Sequence, residues 1–333
     1  MTPSGYHFRR LQPHELPVFN ALHNVCHGVR RPLEEAQWLY GGNPYGEAIV
    51  MAAFDERGKL AGVRPAIAWR IACGGEERTA YEFADALVAP RHRNRGIFSH
   101  LVELTCELAA SHRYALYSIP NERSLPVYRR TPALRVAGDA ETRVRPLHWA
   151  RFVGHRLGID GHGGVDRTVE AEPPREGALA LRPVERFDSS FAAVHAAFAA
   201  LGLGHTLRRR AFLQWRYFGS PLRRYRVALV EEAGAECGYL ALRMIGSVAH
   251  LVDLFVAPEM ELARRALRLA CAWAAQMGAI AVHFNSSRGS LFQHAAARSG
   301  FWLRKRSGHL VLDRDSAQRL RQHYFVMGDF DFF

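Results

Sequence analysis

A basic turn that contains one glycine joins a predicted strand to a predicted helix. It reads Val88-Ala89-Pro90-Arg91-His92-Arg93-Asn94-Arg95-Gly96-Ile97-Phe98-Ser99. Pro90 ends the strand, because proline has no N–H to give to a sheet ladder. Gly96 allows a backbone in which successive N–H groups point into one concavity, and the helix expected to begin near Phe98 adds unpaired donors and the positive end of its dipole. The turn therefore predicts an anion site suited to a pyrophosphate.

An internal repeat extends outward from this turn. Three pairs of segments match in the same order, at offsets of 177 (214 − 37), 168 (253 − 85) and 164 (285 − 121). They are Gln37-Trp38-Leu39-Tyr40 with Gln214-Trp215-Arg216-Tyr217, Asp85 and Val88-Ala89-Pro90 with Asp253 and Val256-Ala257-Pro258, and Asn121 with Asn285. Both Val-Ala-Pro segments precede a stretch with apolar residues at helical spacing. We infer an old duplication, so that the chain carries two copies of one unit.

Each copy predicts a mixed α/β layer structure. Its coarse pattern is helix, helix, three strands, helix, strand, helix and strand, which places helices against a central mixed β-sheet. A stretch rich in glycine and proline separates the copies and indicates a linker. The predicted organisation is a first domain at 1–153, a linker at 154–177 and a second domain at 178–333.

Composition and length are those of a globular protein. The chain has 333 residues, of which 48% are hydrophobic, enough for two ordinary domains with real cores. Its first residues contain no apolar stretch like that of a signal peptide, and no window is long enough for a membrane span. Cytoplasmic residence is the expectation. The five scattered cysteines fit neither a disulfide framework nor a zinc site, so no metal is expected.

The formal net charge of +12 suggests anionic partners. Nearly all 44 basic residues are arginines spread along the chain, and no nucleic-acid-binding module accompanies them. Nucleic acid is therefore not the expected partner. The C-terminal segment Gly-Asp-Phe-Asp-Phe-Phe can dock either on the body of the chain or on a second subunit, as in a homodimer.

The basic turn resembles motif A of the GNAT acyltransferase superfamily, a strand followed by Q/R-x-x-G-x-G/A and a helix. The segment from Arg93 to Phe98 fits this pattern except that Phe98 stands where a small residue is usual. The resemblance implies two tandem GNAT-like domains and acetyl-CoA, or another acyl-CoA, as co-substrate. The cofactor contacts that it implies are Leu87, Val88, Arg93, Asn94, Arg95, Gly96, Ile97, Phe98, Ser99 and Asn121. The second copy has Glu259 and Glu261 at the matching turn and no glycine, so we expect that it has lost cofactor binding.

Acyl transfer to an amine needs a base, a donor to the developing oxyanion and a proton for the departing thiolate. In a continuous strand over residues 81–88, alternation would place Glu82 on the same face as Val88, beside two alanines. The resemblance implies that Glu82 is the general base and that a backbone N–H near Val88, exposed by a bulge, holds the oxyanion. Asp85 recurs as Asp253 in the degenerate copy, which favours a structural role for it.

The candidate proton donor follows the next predicted strand, where Asn121 and Tyr128 are seven residues apart. By the resemblance, Asn121 holds the pantetheine arm and Tyr128 protonates the thiolate. A tyrosine suits this role because its pKa lies above that of a thiol. In the second copy Asn285 is kept but Phe292 replaces the tyrosine, which is typical of a non-catalytic domain.

These observations predict an acyl-CoA-dependent N-acyltransferase, with acetylation of a primary amine by direct transfer as the expected reaction. The resemblance to two-domain GNAT enzymes of bacterial polysaccharide and specialised metabolism implies an amino sugar or a natural-product amine as acceptor. Two alternatives remain open. One is an aminoacyl-tRNA-dependent peptidyl-type transferase with doubled GNAT domains, and the other is a non-catalytic acyl-CoA sensor or scaffold.

Overall fold

The computed structural model describes residues 2–157, 173–319 and 322–330. The strands, in chain order, are β1 (Tyr6–Arg10), β2 (Ile49–Asp55), β3 (Leu60–Cys73), β4 (Glu76–Phe83), β5 (Leu87–Val88), β6 (Ala115–Ser118), β7 (Leu134–Pro146), β8 (Arg175–Glu176), β9 (Leu179–Pro183), β10 (Gly204–Thr206), β11 (Arg226–Glu232), β12 (Ala235–Ile245), β13 (Val248–Val256), β14 (Ala281–Ser287), β15 (Trp302–Asp313) and β16 (His323–Tyr324). The α-helices are α1 (Leu16–His27), α2 (Leu33–Tyr40), α3 (Ile97–Ser111), α4 (Leu125–Arg130), α5 (Trp149–Arg156), α6 (Ala192–Ala200), α7 (Arg210–Phe218), α8 (Met260–Gln276), α9 (Leu291–Arg298) and α10 (Arg314–Arg319).

These elements form two compact units. Among the described residues, unit 1 comprises 2–137, 219–222 and 309–319, and unit 2 comprises 138–157, 173–218, 223–308 and 322–330. Each unit is a mixed β-sheet with helices against it, which confirms the predicted fold class.

The two units share one strand order. In unit 1 the order is β1-β2-β3-β4-β6 followed by the end of β15, and only the β4–β6 pair is parallel. In unit 2 the order is β9-β11-β12-β13-β14 followed by the end of β7, and only the β13–β14 pair among these is parallel. The repeat seen in the sequence is therefore a repeat of topology.

Two strands each have residues in both units. β7 begins in unit 1, but its residues 140–146 pair with β14 in unit 2. β15 begins in unit 2, but Val311 and Leu312 pair with β6 in unit 1. The compact units thus differ from the contiguous domains that the sequence predicted, since residues 138–153 belong to unit 2 and residues 309–319 to unit 1. Of the predicted linker 154–177, residues 154–156 continue α5, residues 175–176 form β8, and residues 158–172 lie outside the described part of the chain.

A buried helix supports the site in unit 1. α3 packs on β2 and β3 through one apolar face, and its buried residues include Ile97, Leu101, Val102, Cys106 and Ala109. Burial of each large aliphatic side chain contributes about 1.5–3 kcal/mol. The coarse sequence pattern missed β1 and β9, the strands that begin the shared strand order, because both are short and carry arginines.

Candidate active site

The strand that leads to the basic turn is interrupted. β4 ends at Phe83, and β5 begins only at Leu87. Between them Asp85 has a φ of 37°, in the left-handed region that aspartate tolerates better than most residues. The prediction of one continuous strand over residues 81–88 is therefore wrong, and the alternation that put Glu82 and Val88 on one face does not hold. The interruption coincides with a tertiary contact, because the Asp85 carboxylate accepts a hydrogen bond from Arg31 Nη1 at 2.6 Å.

The sheet of unit 1 opens beside this interruption. The parallel pairing of β4 with β6 ends at Glu82 and Tyr117, whereas β5 pairs only with β3. We call the region between β5 and β6 the opening. The amide of Ala89 donates to the carbonyl of Ala61 on β3 at 2.9 Å. Because N–H groups alternate sides along an antiparallel strand, the amide of Val88 points away from β3 and toward the opening.

The basic turn has the backbone of an anion site. It leaves β5 through a 3₁₀ turn at Pro90–His92, and α3 begins at Ile97, one residue earlier than expected. Asn94 and Gly96 both have positive φ, 60° and 77°. The first helical hydrogen bond runs from the His100 amide to the Gly96 carbonyl at 3.1 Å. The amides before it, in the first turn of α3, have no acceptor within the helix and carry the positive end of the dipole, so the turn fits a phosphate group.

Side chains around the turn divide into exposed polar groups and a half-buried aromatic ring. Arg93, Asn94 and Arg95 are exposed, and Arg93 Nε donates to the Val88 carbonyl at 3.3 Å. Phe98, which departs from the family pattern, is half-buried, and its ring centroid lies 6.2 Å from that of Tyr128. The bulky residue therefore packs into unit 1.

Glu82 lies at the end of the β4–β6 pairing and is fully buried. Its position is the point where the two strands separate. Its negative charge contributes to raising the pKa of Tyr128, although burial of the phenol is the larger cause. The structure thus buries both the predicted base and the predicted acid in unit 1, and the ring centroid of Phe83, the residue after Glu82, lies 5.7 Å from that of Tyr128.

Tyr128 lies on α4, is 3% exposed and accepts a hydrogen bond from Arg64 Nη2. Arg64 also donates from Nη1 to the Ala84 carbonyl at 2.9 Å, and its guanidinium lies 4.0 Å from the centroid of the Phe83 ring. Burial raises the pKa of Tyr128, and the positive charge of Arg64 partly offsets this rise.

Sequence reasoning missed Arg64. The signal was present, because Arg64 interrupts an otherwise apolar run in β3, Leu60-Ala61-Gly62-Val63-Arg64-Pro65-Ala66-Ile67. A buried arginine needs acceptors or a counter-charge, and the structure supplies a backbone carbonyl and a phenol at the edge of the opening.

Asn121 is not part of this cluster. It is exposed, and its Oδ1 accepts hydrogen bonds from the amides of Arg123 and Ser124, both at 3.0 Å. These contacts shape the turn that leads into α4 and so position Tyr128.

Residues 7–131 match the family model described as an acetyltransferase (GNAT) domain. This segment is thus similar to a GNAT acetyltransferase domain. No curated protein sequence matches the chain.

Solved structures extend the likeness to both units. A GCN5-related N-acetyltransferase from Anabaena variabilis is 14% identical, with a TM-score of 0.66 over 92% of this chain and 72% of that one. A probable N-acyltransferase from Enterococcus faecalis is 11% identical, with a TM-score of 0.65 over the same shares. Saccharomyces cerevisiae N-myristoyltransferase with bound myristoyl-CoA is 12% identical, with a TM-score of 0.58 over 94% of this chain and 82% of that one. The fold is therefore a tandem GNAT fold.

The second GNAT-like unit has a different turn. α8 begins at Met260, with only Glu259 between it and Pro258, and none of residues 256–262 has a positive φ. Glu261 lies in the first turn of α8 and pairs with Arg264 at 3.0 Å. An acidic residue at this position interacts with the positive end of the helix dipole, which in unit 1 would be available to a phosphate.

The corresponding gap in the second GNAT-like unit is occupied by the C-terminal segment, residues 323–330. The pairing of β13 with β14 ends at Leu251 and Phe284. Beyond it the Ser287 amide donates to the Phe325 carbonyl at 2.9 Å, and the Tyr324 hydroxyl donates to the Leu254 carbonyl at 2.6 Å. The described part of the predicted docking segment, residues 328–330, thus packs within unit 2.

Two features are absent from the described residues. They contain no group of three or more histidine, cysteine or acidic side chains placed to hold a metal ion. None of the helices described is both long and apolar enough to cross a membrane.

Proposed function

We propose that unit 1 transfers an acetyl group, or a related short acyl group, from acyl-CoA to a primary amine, and that unit 2 is non-catalytic. One observation carries the proposal. In unit 1 the Val88 amide and the amide-rich turn at Gly96 lie at the two ends of one short segment that borders the opening. In unit 2, Glu261 lies in the matching turn and the chain's own C-terminal segment lies in the matching gap.

The turn supports binding of the pyrophosphate of CoA. Backbone donors at the start of α3 would meet two phosphates without a metal, and the exposed Arg93 and Arg95 would offset their charge. Asn121 at the other side of the opening would contact the pantetheine arm. Leu87 and Val88 would line the strand edge along which that arm extends.

The Val88 amide supports oxyanion stabilisation. It is fixed by a two-residue strand paired to β3, so it needs no rearrangement to donate to a thioester carbonyl in the opening. Removal of one such donor from an acyltransferase typically costs about 10²–10³ in kcat.

Tyr128 supports protonation of the leaving thiolate. Arginine is a donor only, so the hydrogen bond from Arg64 uses a lone pair of the phenol and leaves the phenolic proton for a second acceptor. Because burial raises its pKa, the phenol stays protonated at neutral pH. Glu82 would act as the base for the incoming amine.

The acceptor that we propose is a small-molecule amine such as an amino sugar or a natural-product amine. This choice rests on analogy with two-domain GNAT enzymes. The Saccharomyces cerevisiae N-myristoyltransferase structure holds myristoyl-CoA. The length of the acyl chain is therefore varied in the test.

The test is calorimetry with acetyl-CoA on the wild-type chain and on Gly96→Glu. Gly246→Glu is a matched control, because Gly246 has a φ of +58° and no heavy atom within 4 Å of an added Cβ, but lies in a hairpin of unit 2. We expect binding by wild type and control and at least tenfold weaker binding by Gly96→Glu. A panel of amines and acyl chain lengths, followed by thiol release, then identifies the acceptor. Absence of acyl-CoA binding by wild type would overturn the proposal.

A further inference from the structure

Unit 2 carries a pair of tryptophans on its surface. The indole rings of Trp149 and Trp302 stack with centroids 4.7 Å apart and 28° between their planes. Trp149 is 53% exposed and Trp302 is 46% exposed. Tryptophan is a highly buried residue on average, so two stacked indoles left in water mark a surface suited to an apolar or amphipathic partner.

The exposed surface continues along α5. Trp149 and Val153 lie one turn apart on one face of this helix, and Leu157 follows its last residue at the same spacing; Val153 and Leu157 are 45% and 68% exposed. Phe152 points elsewhere and packs against a small buried cluster of unit 2. Trp149, Trp302, Val153 and Leu157 are four of the twelve exposed large apolar side chains in the described part of the chain, and we call them the Trp149–Trp302 patch.

The charges that flank the patch are all positive. Arg151, Lys305 and Arg306 are exposed beside it in the sequence. The chain has no aspartate or glutamate between Glu141 and Asp160, and none between Glu261 and Asp313. Both segments that build the patch therefore carry cations and have no acidic residue close to them in the sequence.

We propose that the Trp149–Trp302 patch docks on the surface of an anionic lipid bilayer. Indole rings and aliphatic side chains would lie at the boundary between headgroups and acyl chains, and the flanking cations would contact anionic headgroups. This is the arrangement of an interfacial amphipathic helix, with Trp and Leu on one face and basic residues beside it. The inference concerns unit 2 and does not rest on the proposed acyl transfer.

The patch fits a bilayer better than a single-stranded nucleic acid. A protein surface that binds single-stranded nucleic acid presents separate aromatic rings on which the bases stack. Here the two indole rings stack on each other instead. Val153 and Leu157 add aliphatic area, which gains from contact with acyl chains but offers no stacking surface to a base.

The experiment is flotation of the full chain with phosphatidylcholine vesicles that contain either no anionic lipid or about one third phosphatidylglycerol. The variants are Trp149→Ser with Trp302→Ser, and Lys305→Glu with Arg306→Glu. The matched control is Leu201→Ser with Lys59→Glu, since Leu201 is 58% exposed and Lys59 is exposed, both outside the patch. Thermal unfolding verifies that each variant folds, and Trp149→Phe with Trp302→Phe serves as a conservative second pair.

We expect salt-sensitive binding of wild type and control to the anionic vesicles, and binding at least about tenfold weaker for both the serine pair and the charge pair. The phenylalanine pair should retain intermediate binding. The proposal is overturned if wild type does not float with anionic vesicles at low salt, or if only the charge pair loses binding. Tryptophan-dependent binding to an oligothymidylate instead of vesicles would also overturn it.

Discussion

Arg208 donates hydrogen bonds to both carboxylate oxygens of Asp253, each at 3.1 Å, with both side chains buried in unit 2. Unit 1 contains the same relationship, because Arg31 donates to Asp85 at 2.6 Å. The two arginines are 177 residues apart (208 − 31), the offset of the Gln-Trp-x-Tyr segments. The tyrosine of each segment donates to the same carboxylate. An Arg–Asp–Tyr cluster is thus a duplicated structural element, kept in both units whatever their catalytic state.

Arg208→Met should destabilise unit 2 by about 3–5 kcal/mol, because it leaves Asp253 charged and buried without its partner. Arg31→Met should cost less, since the Asp85 side chain is 23% exposed and water can replace part of the contact. Urea unfolding followed by fluorescence measures both. Arg182→Met is the control, because its pair with Glu231 lies at the surface and should be worth about 0–1 kcal/mol. A loss below about 1 kcal/mol for Arg208→Met would contradict the expectation.

Tyr128→Phe should lower kcat about 10²-fold or more while acyl-CoA affinity stays near that of wild type, because only the proton donor is removed. Single-turnover thiol release, with calorimetry for binding, separates the two effects. Burial raises the pKa of the phenol, so wild type should show no loss of this acid up to about pH 10. Tyr114→Phe is a control on the same unit, since Tyr114 stacks on His112 away from the opening. Normal turnover by Tyr128→Phe would remove the tyrosine from the mechanism but leave the binding proposal intact.

The sequence predicted what local chemistry determines. The proline, the glycine and the arginines of the basic turn each have a short-range reason to be there, and the repeat exposed the contrast between Gly96 and Glu261. The duplicated topology followed from the order of the matches. Helix α3 started within one residue of its expected position.

What the sequence could not predict depends on partners that are distant along the chain. The strand is interrupted at Asp85, whose carboxylate accepts a hydrogen bond from Arg31. Tyr128 is buried and accepts a hydrogen bond from Arg64, which lies 64 residues earlier in the chain. The exchange of β7 and β15 joins strands from opposite halves of the chain. The Ser287–Phe325 contact likewise forms only once the C-terminal segment has folded back. Periodicity describes which face of an element is apolar, not which other element covers it.

The C-terminal segment should behave as a structural part of unit 2. Phe330 is 1% exposed, so Phe330→Ala should cost about 3–5 kcal/mol, whereas Tyr324→Phe should cost about 1 kcal/mol by removing the hydrogen bond to Leu254. Hydrogen exchange at the Ser287 amide, which bonds to Phe325, reports local release of the segment. Leu201→Ala, at an exposed position of the same unit, should change neither stability nor exchange. Unchanged protection of Ser287 in Phe330→Ala would show that residues 328–330 do not hold the segment in place.

A chain of hydrogen bonds in unit 2 holds two imidazoles neutral. The Arg208 amide donates to His195 Nε2 at 3.2 Å, so His195 must donate from Nδ1 to His205 Nε2 at 2.9 Å, and His205 Nδ1 donates to the Leu203 carbonyl at 3.0 Å. A proton added to either imidazole would place two donors face to face. Burial lowers the pKa of His195 to about 3, with further lowering by His205 and Arg208, and burial lowers the pKa of His205 to about 4.

Unit 2 should therefore lose stability as the pH falls below about 6.5, because the unfolded histidines take up protons there and the folded ones do not. The loss should reach about 1–2 kcal/mol per histidine at pH 5 and level off near pH 3–4. Asp329 acts in the opposite direction, since burial raises its pKa to about 6, so that its contribution to stability is full below about pH 4 and is lost as the pH rises to about 6. His195→Gln keeps an acceptor for the Arg208 amide and removes one titrating ring, so the free energy of unfolding should decline less steeply between pH 6.5 and 4.5. The exposed His112→Gln should leave the slope unchanged. Because Asp329 is present in every variant, equal slopes for wild type and His195→Gln in urea titrations would mean that His195 already titrates normally in the folded chain.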